Sequence, residues 1–273
     1  ATLCLNADCS LTASLADSVP NKIVWFGVNV PIYKETAHEL SDAPYCIRCK
    51  DAYVYDYVTY GHLGKYRCPA CGYCRPEPEI AVSEVAVTDA EHSEVVFDDG
   101  KKRIPATVCL PGGYNIYNAC AAMAAGRLLG LKEETVAASL ASFSCGFGRM
   151  EKFRIHDVDV RMILIKNPAG CNQVLNYLTQ LREPFTFVAC LNDRAQDGVD
   201  VSWIWDVDFE RLTAMGDQIA SIDVSGRRAE DMAMRFKYAG FPTERLRVNK
   251  DYRSLIENTV ALGKPVYVMP TYT

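Results

Sequence analysis

Apolar and polar positions follow two rhythms along the chain, and each rhythm predicts its own set of elements. Lys22 to Val30 and Glu79 to Thr88 alternate with the period of half-buried strands. Tyr53 to Tyr60 is aromatic and β-branched, which also reads as strand. Val95-Val96-Phe97, the turn residues Asp98-Asp99-Gly100 and a second apolar run to Leu110 predict a hairpin. Tyr114 to Leu129 then takes the 3.6-residue period of an amphipathic helix and stops at Gly130. Glu133 to Phe143 predicts a second helix.

Beyond Gly148 the pattern becomes a regular alternation. Strands are predicted at Phe153-Arg154-Ile155 and Val160 to Ile165, on either side of Asp157-Val158-Asp159. Helical stretches follow at Asn172 to Leu181, Phe209 to Met215, Ala229 to Tyr238 and Tyr252 to Leu262. Between them lie apolar runs at Phe185 to Leu191, Ile219 to Ile222, Leu246 to Val248 and Val266 to Met269. Such alternation predicts an α/β, Rossmann-like domain with helices packed on a mainly parallel sheet. We therefore expect two domains, 1–148 and 149–273. The chain opens inside a strand, so we expect the protein to continue upstream.

Composition narrows the classes. The 273 residues are 49% hydrophobic, enough for two cores, and the net charge of −5 gives no broad basic surface for nucleic acid. No run of about 18 apolar residues predicts a membrane span, and no signal peptide opens the chain. Twelve cysteines in a large α/β chain argue for reduced thiols in a cytoplasmic protein rather than a disulfide scaffold. Cys4, Cys109, Cys120, Cys145 and Cys190 sit in apolar runs and read as core residues.

Four other cysteines form a pattern. Cys46-Ile47-Arg48-Cys49 is followed by Cys68-Pro69-Ala70-Cys71. Two Cys-x-x-Cys knuckles at this separation predict a structural zinc ribbon, placed at about 43–83. Four thiolates leave no coordination position open, so the Zn²⁺ is expected to be structural rather than catalytic. Cys74 is a fifth thiol close by.

Three further segments carry candidate nucleotide chemistry: Leu5-Asn6-Ala7-Asp8, Pro111-Gly112-Gly113-Tyr114-Asn115-Ile116-Tyr117-Asn118-Ala119, and Gly148-Arg149-Met150-Glu151. Taken singly they read as a strand end, a helix start and a charged junction. In this order they resemble the Mur ligase family, whose central ATPase domain ends with an Asn-Ala-Asp strand, an Asn-rich helix start and a Gly-Arg-Met-Glu hinge. The resemblance implies that Asn6, Asn115, Asn118 and Arg149 serve ATP with Mg²⁺. The chain departs from the family at Cys9, where a second Asp is usual. It also contains no Gly-x-x-x-x-Gly-Lys-Ser/Thr phosphate loop, because Gly61-His62-Leu63-Gly64-Lys65-Tyr66 has the wrong spacing. We expect that loop in the upstream part of the protein, and this fragment alone to be inactive.

The second half sharpens the resemblance. Lys166-Asn167-Pro168-Ala169-Gly170 and the acidic, tryptophan-bearing segment Leu191 to Phe209 follow predicted strands, where α/β sheets place ligands. Together with the ribbon and the terminal Pro270-Thr271-Tyr272-Thr273, they resemble the branch of the family that works with a separate glutaminase. That resemblance implies a ligase: ATP-dependent amidation of the D-glutamate α-carboxylate of lipid II, at the membrane surface, with a GatD-type glutaminase subunit as partner. It also implies that an aspartate of this domain completes the partner's Cys-His pair. Asp193 is the candidate, with Asp197 and Asp200 as rivals. His38, His62, His92 and His156 have no nucleophile context of their own. Trp203, Trp205 and Phe209 read equally as a partner surface or as core, and Arg227-Arg228 as an anion site or a surface pair. The alternatives are an amino-acid-adding Mur or folylpolyglutamate-type ligase, and an inactive zinc-stabilised interaction subunit.

Overall fold

The computed structural model describes residues 1–33, 43–88, 91–110, 112–143 and 149–273, with Val87 and Arg149 described by backbone alone. His38, Pro111, Cys145 and Gly148 lie outside the described residues. The chain divides into two compact units, Ala1–Ser144 and Cys145–Thr273.

The first unit is built on a five-stranded sheet. Strand β1 (Thr2–Asn6) is followed by the short helix α1 (Ser10–Ser14) and β2 (Lys22–Val28). The hairpin β3 (Val54–Tyr60) and β4 (Leu63–Arg67) forms a separate two-stranded sheet. Strands β5 (Ile80–Thr88), β6 (Ser93–Asp98) and β7 (Arg103–Val108) complete the main sheet, and helices α2 (Gly113–Leu128) and α3 (Glu133–Ser142) follow. The sheet order is β1-β2-β5-β6-β7; the first three strands are parallel and the last two return antiparallel. The pairing of Ile80 with Phe26 places residue 80 onward in the main sheet, so the ribbon ends before the expected residue 83.

Helix α2 covers this sheet with small and medium side chains. Ile116, Ala119, Cys120, Met123 and Ala124 meet Phe26, Val28, Ile80, Val82 and Phe97 in one buried cluster. The thiol of Cys120 reaches the Gly27 carbonyl at 3.3 Å, a close approach that larger residues at 119, 120 and 124 would block. Cys120 and Cys190 are buried, as their apolar runs predict, whereas Cys4 and Cys109 are only half-buried.

The second unit begins with the antiparallel pair β8 (Arg149–Ile155) and β9 (Val158–Ile163). His156 and Asp157 make the turn between them with left-handed backbones. Then come α4 (Pro168–Leu178), β10 (Phe185–Cys190), α5 (Glu210–Thr213), β11 (Ile219–Ser225), α6 (Ala229–Tyr238), β12 (Leu246–Val248), α7 (Tyr252–Val260) and β13 (Val266–Pro270). The order is β12-β11-β10-β13-β9-β8, parallel except for β8. Every residue of β10 is buried, because both faces are covered. Val188 and Cys190 join Leu255 and Val260 of α7 on one face. Phe187 packs edge-on against Phe236 of α6 on the other, with Phe209 and Phe241 beside it.

One turn of this unit is fixed by close packing. Gly226, just after β11, has φ +92°, and a Cβ there would lie 2.3 Å from the Leu191 carbonyl oxygen. Gly226→Ala combines left-handed strain with a backbone clash, at a cost of about 2 kcal/mol or more. Thermal unfolding of the variant should show a Tm lower by roughly 5 °C. An unchanged Tm would mean that the turn does not pack on β10 in this way.

Candidate functional site

The four cysteines of the two knuckles come together. Their Sγ atoms all lie within 4.8 Å of one another, with Cys46–Cys71 at 3.6 Å and Cys49–Cys68 at 3.4 Å. Sulfurs at the corners of a tetrahedron with metal–sulfur bonds of about 2.3 Å stand about 3.8 Å apart, so the spacing suits one tetrahedral ion. The two knuckles share one backbone plan. Cys46 N–H donates to Asp51 and Lys50 N–H to Cys46; likewise Cys68 N–H donates to Tyr73 and Gly72 N–H to Cys68. The plan needs a left-handed residue after each second cysteine, supplied by Lys50 (φ +66°) and Gly72 (φ +75°). Cys74 is exposed and outside the four-sulfur cluster.

The donor chemistry also fits a cation. Burial opposes ionisation of Cys46, yet the backbone N–H groups of Cys49 and Arg48 bring its thiol down to about 6. At Cys49 the Asp51 N–H favours the thiolate, but the neighbouring cysteines resist a second negative charge and push it up to about 12. Four thiols this close cannot all ionise without a compensating charge. Around them Tyr53, Tyr66 and Tyr73 form the ribbon's small core, and the Arg48 guanidinium lies 4.3 Å over the Tyr73 ring.

The ribbon joins the main sheet through a buried ion pair that sequence reading did not find. Arg75, just after the second knuckle, donates from Nε to Oδ1 of Asp8 at 2.6 Å, and both side chains are almost wholly buried. The other Asp8 oxygen accepts from Val28 N–H at 2.9 Å and from the Tyr117 hydroxyl of α2 at 2.5 Å. Arg75 Nη2 also donates to Asn29 Oδ1 at 2.8 Å. Burial pushes the Asp8 carboxyl up, against the pull of Arg75, Tyr117 and Val28. Gly27 lies beside the pair, and a Cβ there would sit 2.4 Å from Asp8 Oδ1.

This pair organises the expected nucleotide residues of the first unit. Asn6 ends β1, and its Oδ1 accepts from Asp8 N–H at 2.9 Å, closing the Asn6-Ala7-Asp8 turn. Asn115 is buried in the first turn of α2, and the exposed Asn118 donates to its Oδ1 at 3.2 Å. Tyr117 lies between those two asparagines, so its bond to Asp8 ties the helix start to the Asn6 turn. Arg149 opens β8 in the second unit. Cys9, where the family departure lies, caps α1 and stands 3.3 Å from His62 Nε2. Burial works against ionisation there, but bonds from His62 and Thr12 bring the Cys9 thiol down to about 7.

In the second unit the three candidate aspartates do different work. Asp197 accepts from Thr273 N–H at 2.8 Å, from the Thr273 hydroxyl and from Arg194 N–H at 3.2 Å, so it anchors residue 273. Burial raises its pKa, but these bonds outweigh burial and lower it. Asp200 accepts from Ser202 N–H at 2.8 Å at the head of the next turn. Among the described residues Asp193 takes no backbone N–H; its carboxylate meets Arg227 Nε at 2.9 Å and Arg228 Nη1 at 3.3 Å. The side chain stands at the C-terminal end of β10 and keeps 17% of its surface exposed. A cleft of about 300 Å³ is lined by Asp200, Trp205, Arg228 and Asp231 among others; Asp193 is not part of its lining but pairs with Arg228, which is. The aromatic alternatives separate: Phe209 is core, Trp203 is half-buried, and Trp205 is exposed against Tyr238.

Residues 164–273 match the family model for the MurT ligase C-terminal domain. The match covers most of the second unit. Over its whole length the chain is also a relative of MurT. It is 33% identical across 277 aligned positions to the lipid II isoglutaminyl synthase (glutamine-hydrolyzing) subunit MurT of Streptococcus pneumoniae, covering 100% of this chain and 60% of that protein. The chain thus spans about 60% of the length of the curated MurT relatives it matches. The fold is shared more widely. A pseudomurein peptide ligase type C from Methanothermus fervidus superposes with a TM-score of 0.68 at 19% identity, covering 99% of this chain and 54% of that one. MurF from Acinetobacter baumannii gives 0.65 at 12% identity, covering 99% and 49%. The MurT-like chain therefore has the mixed α/β fold of Mur-type ligases. Among the described residues no helix is long and apolar enough to cross a membrane.

Removing Arg75 tests the buried pair. Arg75→Met leaves the Asp8 carboxylate in the core without its cation, and the expected loss of unfolding free energy is about 3–5 kcal/mol. Urea titration reads it directly. A loss under about 1 kcal/mol would show that Asp8 does not depend on Arg75.

Proposed function

We propose that the full protein is the synthase subunit of a glutamine-dependent amidotransferase, which converts the D-glutamate α-carboxylate of lipid II to the D-isoglutamine amide. The observation that carries this reading is the end-to-end similarity to a subunit named glutamine-hydrolyzing lipid II isoglutaminyl synthase. The chemistry has two steps. The anionic carboxylate is a poor electrophile, so transfer of the γ-phosphoryl group of ATP to it gives an acyl phosphate and ADP. Ammonia then adds to the carbonyl carbon, phosphate leaves, and the amide remains. Bound Mg²⁺ would offset the charge on the transferring phosphoryl group.

Within this chain, 1–148 is read as the later part of the Mur central domain and 149–273 as the MurT C-terminal domain. The Asn6 turn and the Asn115–Asn118 helix start are the assigned nucleotide contacts, with Arg149 from the junction. Zn²⁺ on Cys46, Cys49, Cys68 and Cys71 would hold the ribbon. The phosphate loop is absent from these 273 residues, so ATP turnover is a property of the whole protein. Ammonia is read as coming from a GatD-type glutaminase whose Cys-His pair borrows Asp193. Such an acid orients the imidazole and stabilises its charged form. Asp197 spends both oxygens on Thr273 and Arg194, and Asp200 holds Ser202 N–H with Oδ1, whereas Asp193 is paired with side chains alone, which favours Asp193.

The test uses the full-length protein with its glutaminase partner. Lipid II amidation should consume ATP and glutamine together. Asp193→Asn should cut ammonia release from glutamine on the order of 100-fold, while added ammonium salt still supports amidation. Near-normal ammonia release would reject Asp193. No amidation from either nitrogen source would reject the ligase reading.

A further inference from the structure

Asp193 is held from one side by a single turn. Three consecutive residues at the end of β10 are each engaged by Arg227 and Arg228, which follow β11. Arg228 N–H donates to the Leu191 carbonyl at 3.0 Å. Arg227 N–H donates to Asn192 Oδ1 at 2.9 Å. The two side chains then close on Asp193, Arg227 Nε against Oδ1 at 2.9 Å and Arg228 Nη1 against Oδ2 at 3.3 Å. Arg228 is itself braced by Asp231 in the first turn of α6, Nε to Oδ2 at 2.6 Å. Asn192 also reaches the Thr273 carbonyl with its side-chain amide, so β10, the turn and the terminal segment form one polar lattice. Gly226 lets the turn come this close, since any Cβ would strike Leu191.

This is more than a surface ion pair needs. Arg228 donates to Oδ2, and the Arg227 guanidinium stands beside the buried Oδ1 without a hydrogen bond to it, so positive charge on both sides holds the carboxylate in position. Oδ2 can accept more than one hydrogen bond, so capacity remains there for an incoming N–H donor, while Oδ1 is buried. The cluster of Asp193, Asp231, Arg227 and Arg228 sums to zero charge, so the arginines orient the acid without turning the site cationic.

We propose that the Arg227–Arg228 turn, with Arg228 as its main member, is the positioning device that presents Asp193 to the imidazole of the partner glutaminase. The proposal rests on the reading of Asp193 given above. The guanidiniums touch neither glutamine nor the reacting atoms; they act through the carboxylate. Arginine is required at 228 because its planar fork reaches Asp193 and Asp231 together, which a lysine ammonium cannot reproduce.

The experiment is a double-mutant cycle in the complex of the full-length protein with its glutaminase. Arg228→Met is expected to lower kcat for glutamine hydrolysis about 10-fold at unchanged KM, as orienting partners of reactive groups do. Arg228→Lys should recover part of the loss. In an Asp193→Asn background, Arg228→Met should have no further effect, because its action passes through that carboxylate. If Arg228→Met does not fold, Arg227→Met carries the same cycle, since its side chain is 62% exposed and pairs with Asp193. Normal kcat in the arginine variants, or losses that multiply with Asp193→Asn, would overturn the proposal. Normal hydrolysis by Asp193→Asn itself would instead overturn the reading of Asp193, so the two failures are told apart.

Discussion

The first unit depends on one charge being matched where water cannot reach it. Asp8 is fully buried, and its two oxygens take the Arg75 guanidinium, the Val28 amide and the Tyr117 hydroxyl. Each of these comes from a different piece of structure: the end of the ribbon, the end of β2 and the first turns of α2. A buried carboxylate without its cation is strongly destabilising, so the three pieces hold position together or fail together. Gly27 is the steric corollary, because only a residue without Cβ leaves room for the pair.

That constraint gives the ribbon a role beyond its own folding. The ribbon core is three tyrosines and two cysteines, too little apolar surface for independent stability. The left-handed backbones at Lys50 and Gly72 shape the knuckles, and a metal on the four sulfurs would lock them. Arg75 lies one residue beyond Cys74 and four beyond Cys71, so the knuckle's rigidity passes directly to the ion pair. Asn6 accepts from the Asp8 N–H, and Asn115 and Asn118 flank Tyr117 in α2. In the second unit a comparable logic holds at the end of β10, where a glycine turn places two arginines on one acid.

Periodicity made most of the fold legible. Helix α6 and strand β12 fall at the residues that the pattern gave, and the parallel sheet follows from the alternation. The cluster of four cysteines was readable because its chemistry is written in short spacings. What escaped was long-range. Asp8 and Arg75 are 67 residues apart and Asp8 and Tyr117 are 109 apart, and no local rule links them. Cys9 was noticed as a departure and His62 as a lone histidine; only the fold brings them to 3.3 Å. Arg227 and Arg228 read as an anion site or a surface pair, and the acid they hold, one strand away, could not be named. The short helix α1 and strand β4 carried too few residues to show a period.

A metal on the four sulfurs would support the Asp8 network, and amide hydrogen exchange tests that dependence most directly. The Val28 amide is the natural reporter, since its acceptor is the Asp8 side chain itself. Exchange is compared in zinc-loaded protein and in protein stripped with a chelator. The account predicts that stripping removes protection at the knuckles and also at Val28 and the first turns of α2, while β10 and β11 of the second unit keep theirs. Loss confined to residues 46–73, with Val28 and α2 unchanged, would contradict it.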